Sequence, residues 1–235
     1  MRRRQGGARL MRRACARAAL MAGVLLLVVA GCAGPGNGGA NPQADAAFDA
    51  AFNQMMAASF RDQGIATVAR LQQDQADAAC SKAAAGKLPD EEARRIQQES
   101  RKSIQLPADG RFLGDWKAGE ALAQNGRGMT WADKSSQAEA NGGGCYNCHQ
   151  LSASEIAFGT IGPSLYQYAS VHGVADPNAA SARTALETAW AKLYDSRASN
   201  ACSGMPRFGH AGLLNERQLK DLMALLFDPA SPVNR

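Results

Sequence analysis

From residue 45 onward, apolar side chains recur at intervals that suit helices, and long Val/Ile/Thr alternations are absent. Phe48, Phe52, Met56 and Phe60 fall at every fourth position, a stripe that needs a surface to cover. Helical patterns continue over 67–79 and 90–104, the second entered through Pro89 with acids in its first turn. Asp115 can cap a helix carrying Trp116, Ala118, Gly119, Ala121 and Leu122, and another helix is predicted over 181–194 with Leu186, Trp190 and Leu193 on one face. The last helix is the clearest. Asn215 supplies an N-cap oxygen, Gln218 stands three residues on as its capping-box partner, and Leu219, Leu222, Met223 and Leu226 form the stripe before Asp228-Pro229 stops it. The predicted class is all-α.

Upstream the pattern changes. Seven arginines precede an apolar run over 18–30, and no acid appears before Asp45. This is the layout of a secretory signal, too short to span a bilayer stably. The run closes on Val29-Ala30-Gly31-Cys32, which resembles the lipobox of bacterial lipoproteins, in which the Cys takes diacylglycerol and becomes the new N-terminus. Ordinary cleavage nearby is the alternative, and Arg12-Arg13 lacks the companions of a twin-arginine signal. The chain therefore divides into a signal peptide (1–31), a Gly/Pro-rich tether (32–43), a helical extension (44–108) and a second helical unit (109–235).

Charge and cysteines acquire meaning from that division. The whole chain carries +5, but removal of residues 1–31 leaves 19 basic residues against 21 acidic ones, so the mature chain offers no electrostatic case for nucleic acid. A composition 46% apolar and 20% charged excludes intrinsic disorder and collagen-like sequence. Of six cysteines, Cys15 leaves with the signal, Cys32 is the lipid candidate and Cys145 and Cys148 form a motif. Cys80 and Cys202 remain, and in an oxidising compartment they are expected to pair, two separately buried thiols being the alternative.

Cys145-Tyr146-Asn147-Cys148-His149 has the C-x-x-C-H form of c-type haem attachment. The spacing has a chemical reason: two thiols add to the haem vinyl groups while the next residue is carried beneath the ring to ligate iron. A redox dithiol would expect a βαβ setting, and a four-Cys zinc site would have to recruit the distant Cys80 and Cys202. For the sixth ligand the candidates are Met205, His210, His172 or none. Met205 in Gly204-Met205-Pro206 is favoured, since His/Met ligation suits electron transfer. Pro163, in Gly162-Pro163-Ser164-Leu165, is the candidate carbonyl acceptor for the ring N–H of His149, a bond that fixes ligand orientation.

These strings together resemble a known family. Cys145 to Gln150, Gly159 to Leu165, Gly204-Met205-Pro206-Arg207-Phe208-Gly209-His210 and the closing Leu219 to Leu226 are similar to SoxX, the monohaem subunit of the SoxAX cytochrome of bacterial sulfur oxidation, over roughly residues 110–233. The resemblance implies a class I cytochrome c fold, one covalent haem c held by Cys145 and Cys148, axial ligands His149 and Met205, and a SoxA-like partner. In that complex thiosulfate is conjugated oxidatively to a cysteine of the SoxYZ carrier, and electrons leave through the SoxX haem. Bond-making chemistry is thus expected on the partner, as in L-cysteine S-thiosulfotransferase, and no residue of this chain is expected to be catalytic. The lipobox departs from a soluble periplasmic member; membrane contact is expected only through Cys32. The competing readings are a free electron shuttle and a haem enzyme or gas sensor with an open distal site, with a dithiol oxidoreductase last. Arg207 and Phe208 carry two open readings, a docking pair or a haem-propionate partner beside a packed ring.

Overall fold

The computed structural model describes residues 42–85 and 87–235; the signal and Cys32 lie outside them, as does nearly all of the tether. The chain divides into two compact units, one ending at Ser59 and one comprising Phe60–Arg235. Residues 60–108 of the expected extension thus share a unit with 109–235. In the first unit, helix α1 (Pro42–Ser59) stacks Phe48 on Phe52 one turn later, with ring centroids 6.4 Å apart. The described residues hold helices and turns, with a single isolated bridge between Gln63 and Ala66 and no strand. The architecture is all-α. No described helix is long and apolar enough to cross a membrane.

The second unit opens with α2 (Gln75–Lys82) and α3 (Asp90–Ser103). The continuous helix predicted over 67–79 is instead a 3₁₀ turn, Val68–Leu71, and then α2. Asp74 makes the break: its backbone is extended, and its carboxylate accepts the Asp77 N–H at 2.8 Å, starting a new helix rather than continuing an old one. Helices α4 (Trp116–Gln124), α5 (Tyr168–Val171), α6 (Arg183–Tyr194) and α7 (Glu216–Phe227) follow. Asp115 caps α4 through the Lys117 N–H, and α7 starts in the Asn215–Gln218 capping box. The four-residue α5 has no periodic signature, so the sequence pattern did not reveal it.

Helix α7 is the axis of the core. Beyond the expected stripe it also buries Ala224, Leu225 and Phe227, because α4, α5 and α6 pack around it on several sides. Trp190 of α6 is 1% exposed, lies edge-on to Phe112 at 5.7 Å and donates its indole N–H to Gln105 O at 2.8 Å. The closest approach is α4 on α7. Gly114 N–H donates to Lys220 O at 2.9 Å and Asp115 N–H to Asp221 Oδ1 at 2.8 Å. At Gly119 the helices touch through backbone, and a Cβ there would overlap the Asp221 carbonyl.

That contact gives a first prediction. Gly119→Ala gains about 1 kcal/mol of helix propensity, but overpacking against a fixed carbonyl costs about 3 kcal/mol. Urea unfolding should show a net loss of about 2 kcal/mol; a stabilised variant would mean that α4 can move off α7 freely.

Candidate functional site

The C-x-x-C-H residues occupy one tight turn. Gly144, at φ +57°, lets the chain enter a 3₁₀ turn over Cys145–Asn147. Both Cys148 N–H and His149 N–H then donate to Cys145 O, at 3.1 and 2.9 Å. A second loop is sewn onto this turn. Gly159 N–H donates to Tyr146 O at 2.9 Å, Gly162 N–H to Cys148 O at 2.8 Å and Leu165 N–H to Gln150 O at 2.8 Å. Ser164 Oγ adds a bond to Gln150 Oε1 at 2.9 Å. The registration brings Pro163 O to 2.6 Å from His149 Nδ1. Gly162 lies so close against the ring that a Cβ there would overlap it.

The electrostatics follow from these contacts. A carbonyl only accepts, so the His149 ring proton sits on Nδ1 and the lone pair is directed from Nε2. Cys145 and Cys148 are free thiols, both half-buried. Burial pushes the Cys145 thiol up to about 12, with the neighbouring Cys148 adding to it against a backbone hydrogen bond. A reactive dithiol needs the opposite shift, toward the thiolate. The donor set of two unpaired thiols and one oriented imidazole within five residues fits a thioether-linked haem ligated at His149 Nε2.

Met205 is half-buried and packs against the same hydrophobic core as Cys145. Its loop is held on both sides. Ser196 Oγ donates to Met205 O at 2.6 Å, and Gly209 and His210 N–H both donate to Tyr194 O, at 3.2 and 2.9 Å. The two histidine alternatives are engaged locally. His172 stacks on Tyr168 with centroids 4.0 Å apart and places Nδ1 2.9 Å from the Tyr168 carbonyl; His210 Nδ1 lies 3.6 Å from Asp195 Oδ2. Arg207 and Phe208 do not form a surface pair. Phe208 is 5% exposed in the core, and Arg207 forks onto Asp195 through Nε and Nη2, at 3.0 and 2.9 Å. A guanidinium beside a buried carboxylate is drawn inward to it.

Cys80 and Cys202 are joined, with Cα atoms 5.6 Å apart. Beside them Arg197, 9% exposed, reaches Asp74 Oδ2 at 2.6 Å and also pairs with Asp77. The residues just after α6 are thus bound to α2 by a covalent bond and by buried charge.

No family model matches the chain. An uncharacterized lipoprotein of Aquifex aeolicus is 34% identical over 140 residues, which amount to 59% of this chain. The match spans 61% of the length of that relative.

The cluster of Asp195, Arg197, Arg207 and Asp74 escapes sequence reading. Charged residues at 74 and 195–207 carry no periodic signal, and an Asp at a helix end reads as a solvated cap. One signal was available: Cys80 and Cys202, once paired, bring the neighbours of each into reach. Burial raises the Asp195 carboxyl, but the hydrogen bond and charge of Arg207, the Arg197 N–H and the charge of His210 together hold it below its ordinary 3.8. A depressed folded-state value contributes stability that is complete above the unfolded pKa near 4 and is lost as pH falls through the folded one. Asp195→Asn should cost about 3 kcal/mol at pH 7, because the partly buried Arg207 loses its two-pronged anion and keeps only the more distant, half-exposed Asp74. Guanidinium unfolding between pH 7 and 2.5 should show the wild type losing that advantage below pH 4; parallel curves would remove Asp195 from the account.

Proposed function

We propose that this protein is an exported, lipid-anchored monohaem cytochrome c of class I type, serving as the electron-transfer subunit of a SoxAX-like complex. The observation that carries the reading is the bond between His149 Nδ1 and Pro163 O inside a turn that presents Cys145 and Cys148 as free thiols. Cys145 and Cys148 would form the two thioethers, His149 Nε2 the proximal bond and Met205 Sδ the distal one. When bound, the haem supplies a one-electron iron couple. The chain's own work is to hold that couple still: Pro163 orients the imidazole, Gly162 allows the backbone to lie against its ring, and the 195–210 segment holds the Met205 loop. With His149 and Met205 both holding it, the haem would have little to rearrange on reduction, which suits electron transfer and not gas binding. The raised Cys145 thiol weighs against the dithiol alternative.

The similarity of Cys145–Gln150, Gly159–Leu165 and Gly204–His210 to SoxX supports a SoxA-like partner, on which thiosulfate conjugation to a SoxYZ-like carrier would take place. The Aquifex relative is described as a lipoprotein, which supports lipid attachment at Cys32 and a periplasmic site on the membrane surface.

Mass spectrometry of the exported protein should find one haem adduct that survives acid-acetone extraction and is absent from Cys145→Ser/Cys148→Ser. The oxidised protein should show the weak near-infrared sulfur-to-iron band, abolished in Met205→Ala with a lowered potential. An exported chain without the adduct refutes the reading. Co-elution of a second cytochrome on purification from its native host tests the complex, and a lone monohaem species would favour the free shuttle.

Lipidation is checked separately. Labelled palmitate should enter the wild type and not Cys32→Ser; no label in either would make this an ordinary periplasmic protein.

A further inference from the structure

Resting on the reading that Met205 ligates the haem iron, we propose that residues 74–103 are a brace that positions the Met205 loop by gripping Arg197, the loop's own positioning residue. A ligand carried on a loop is placed less well than one on a helix, and an unheld loop costs conformational entropy each time it closes. The Met205 loop leaves α6 at Tyr194, buries Ala198 and Ala201 on its way, and enters the main hydrophobic cluster at Phe208. Among the described residues, apart from a local bond between Gln73 Nε2 and Ser81 Oγ, the side-chain links that leave 74–103 for the rest of the unit end between 195 and 207. Arg101 Nε donates to Ala198 O at 3.0 Å, Gln97 Nε2 to Ser199 O at 3.2 Å and Ser103 Oγ to Asp195 Oδ2 at 3.3 Å. Cys80 is bonded to Cys202, three residues before the ligand. Asp74 reaches Arg207, two residues after it, at 3.4 Å.

Arg197 ties these links together. It follows Ser196, whose hydroxyl holds the Met205 carbonyl, and its N–H caps onto Asp195 at 3.1 Å. Its guanidinium takes both Asp74 and Asp77. Two carboxylates on one buried planar fork fix direction as well as distance. None of these links reaches the Cys145–His149 turn. The brace therefore acts on the distal side alone and sets how readily Met205 leaves the iron.

The test is imidazole competition on the full-length holoprotein, followed by loss of the sulfur-to-iron band well below the melting temperature. Asp74→Asn/Asp77→Asn alters half-exposed carboxylates and spares the core. It should bind imidazole about tenfold more tightly than wild type, as expected if the Met-off state becomes tenfold more populated. Adding Cys80→Ser/Cys202→Ser should increase the effect, and Arg197→Lys should fall between wild type and Arg197→Ala. Leu186→Ala, a core truncation outside the brace, should lower the melting temperature and leave imidazole affinity unchanged. Brace variants that lower the melting temperature with wild-type imidazole affinity overturn the brace alone. A wild-type holoprotein without the sulfur band overturns Met205 ligation, and the brace with it.

Discussion

A carboxylate with no exposed surface, Asp195, sits where the end of α6, the Met205 loop and α3 converge. Burying a charge is costly unless its lone pairs are filled and an opposite charge is close. Arg207 supplies the charge through two hydrogen bonds, while the Arg197 N–H and the Ser103 hydroxyl fill what remains. The Arg197 N–H is local to the same turn, but Ser103 comes from the end of α3 and Arg207 from beyond the Met205 position, so satisfying one carboxylate fixes α3 and both ends of the loop relative to one another. Phe208 can then enter the core one residue after Arg207. The path of residues 195–210 is in this sense a consequence of Asp195.

The C-x-x-C-H turn is organised by the opposite means. It holds no ion pair, and its order comes from backbone hydrogen bonds between 145–150 and 159–165 and from glycines that let two chains touch. Such contacts are short-range and bury the Cys145 thiol, which that burial raises. The 145–165 side of the candidate site is thus neutral and close-packed, whereas the 195–210 side is charged and cross-linked. The α4 and α7 crossing at Gly119 supplies a fixed frame for the C-x-x-C-H turn, which packs on α4, because backbone-to-backbone contact leaves no side chain to adjust.

Much was legible in the chain itself. The last helix was readable to its capping box, since Asn215, Gln218 and the Leu219–Leu226 stripe are local signals of a local structure. The C-x-x-C-H turn and the Gly-Pro string are equally local, and each is recognisable without knowing where the other lies. The separation of 67–79 into a 3₁₀ turn and α2 was missed because Asp74 is a cap only when its backbone is extended, and a periodicity argument does not see that. The extra burial along α7 was missed because a stripe reports one packed face, whereas a helix surrounded on several sides also buries residues off that stripe.

What the sequence determined by itself is therefore the class of the fold, the chemistry available at Cys145, Cys148 and His149, and the cysteines left over for a cross-link. These depend on residue type and on spacings of a few positions. What only the tertiary structure decided is the assignment of charged partners: Arg207 to Asp195 rather than to an outer surface, and Arg197 to Asp74 and Asp77. The physical reason is that a charge or a carbonyl has no intrinsic preference among the partners a sequence offers. Burial makes that choice, because desolvation penalises every arrangement in which the group is left alone.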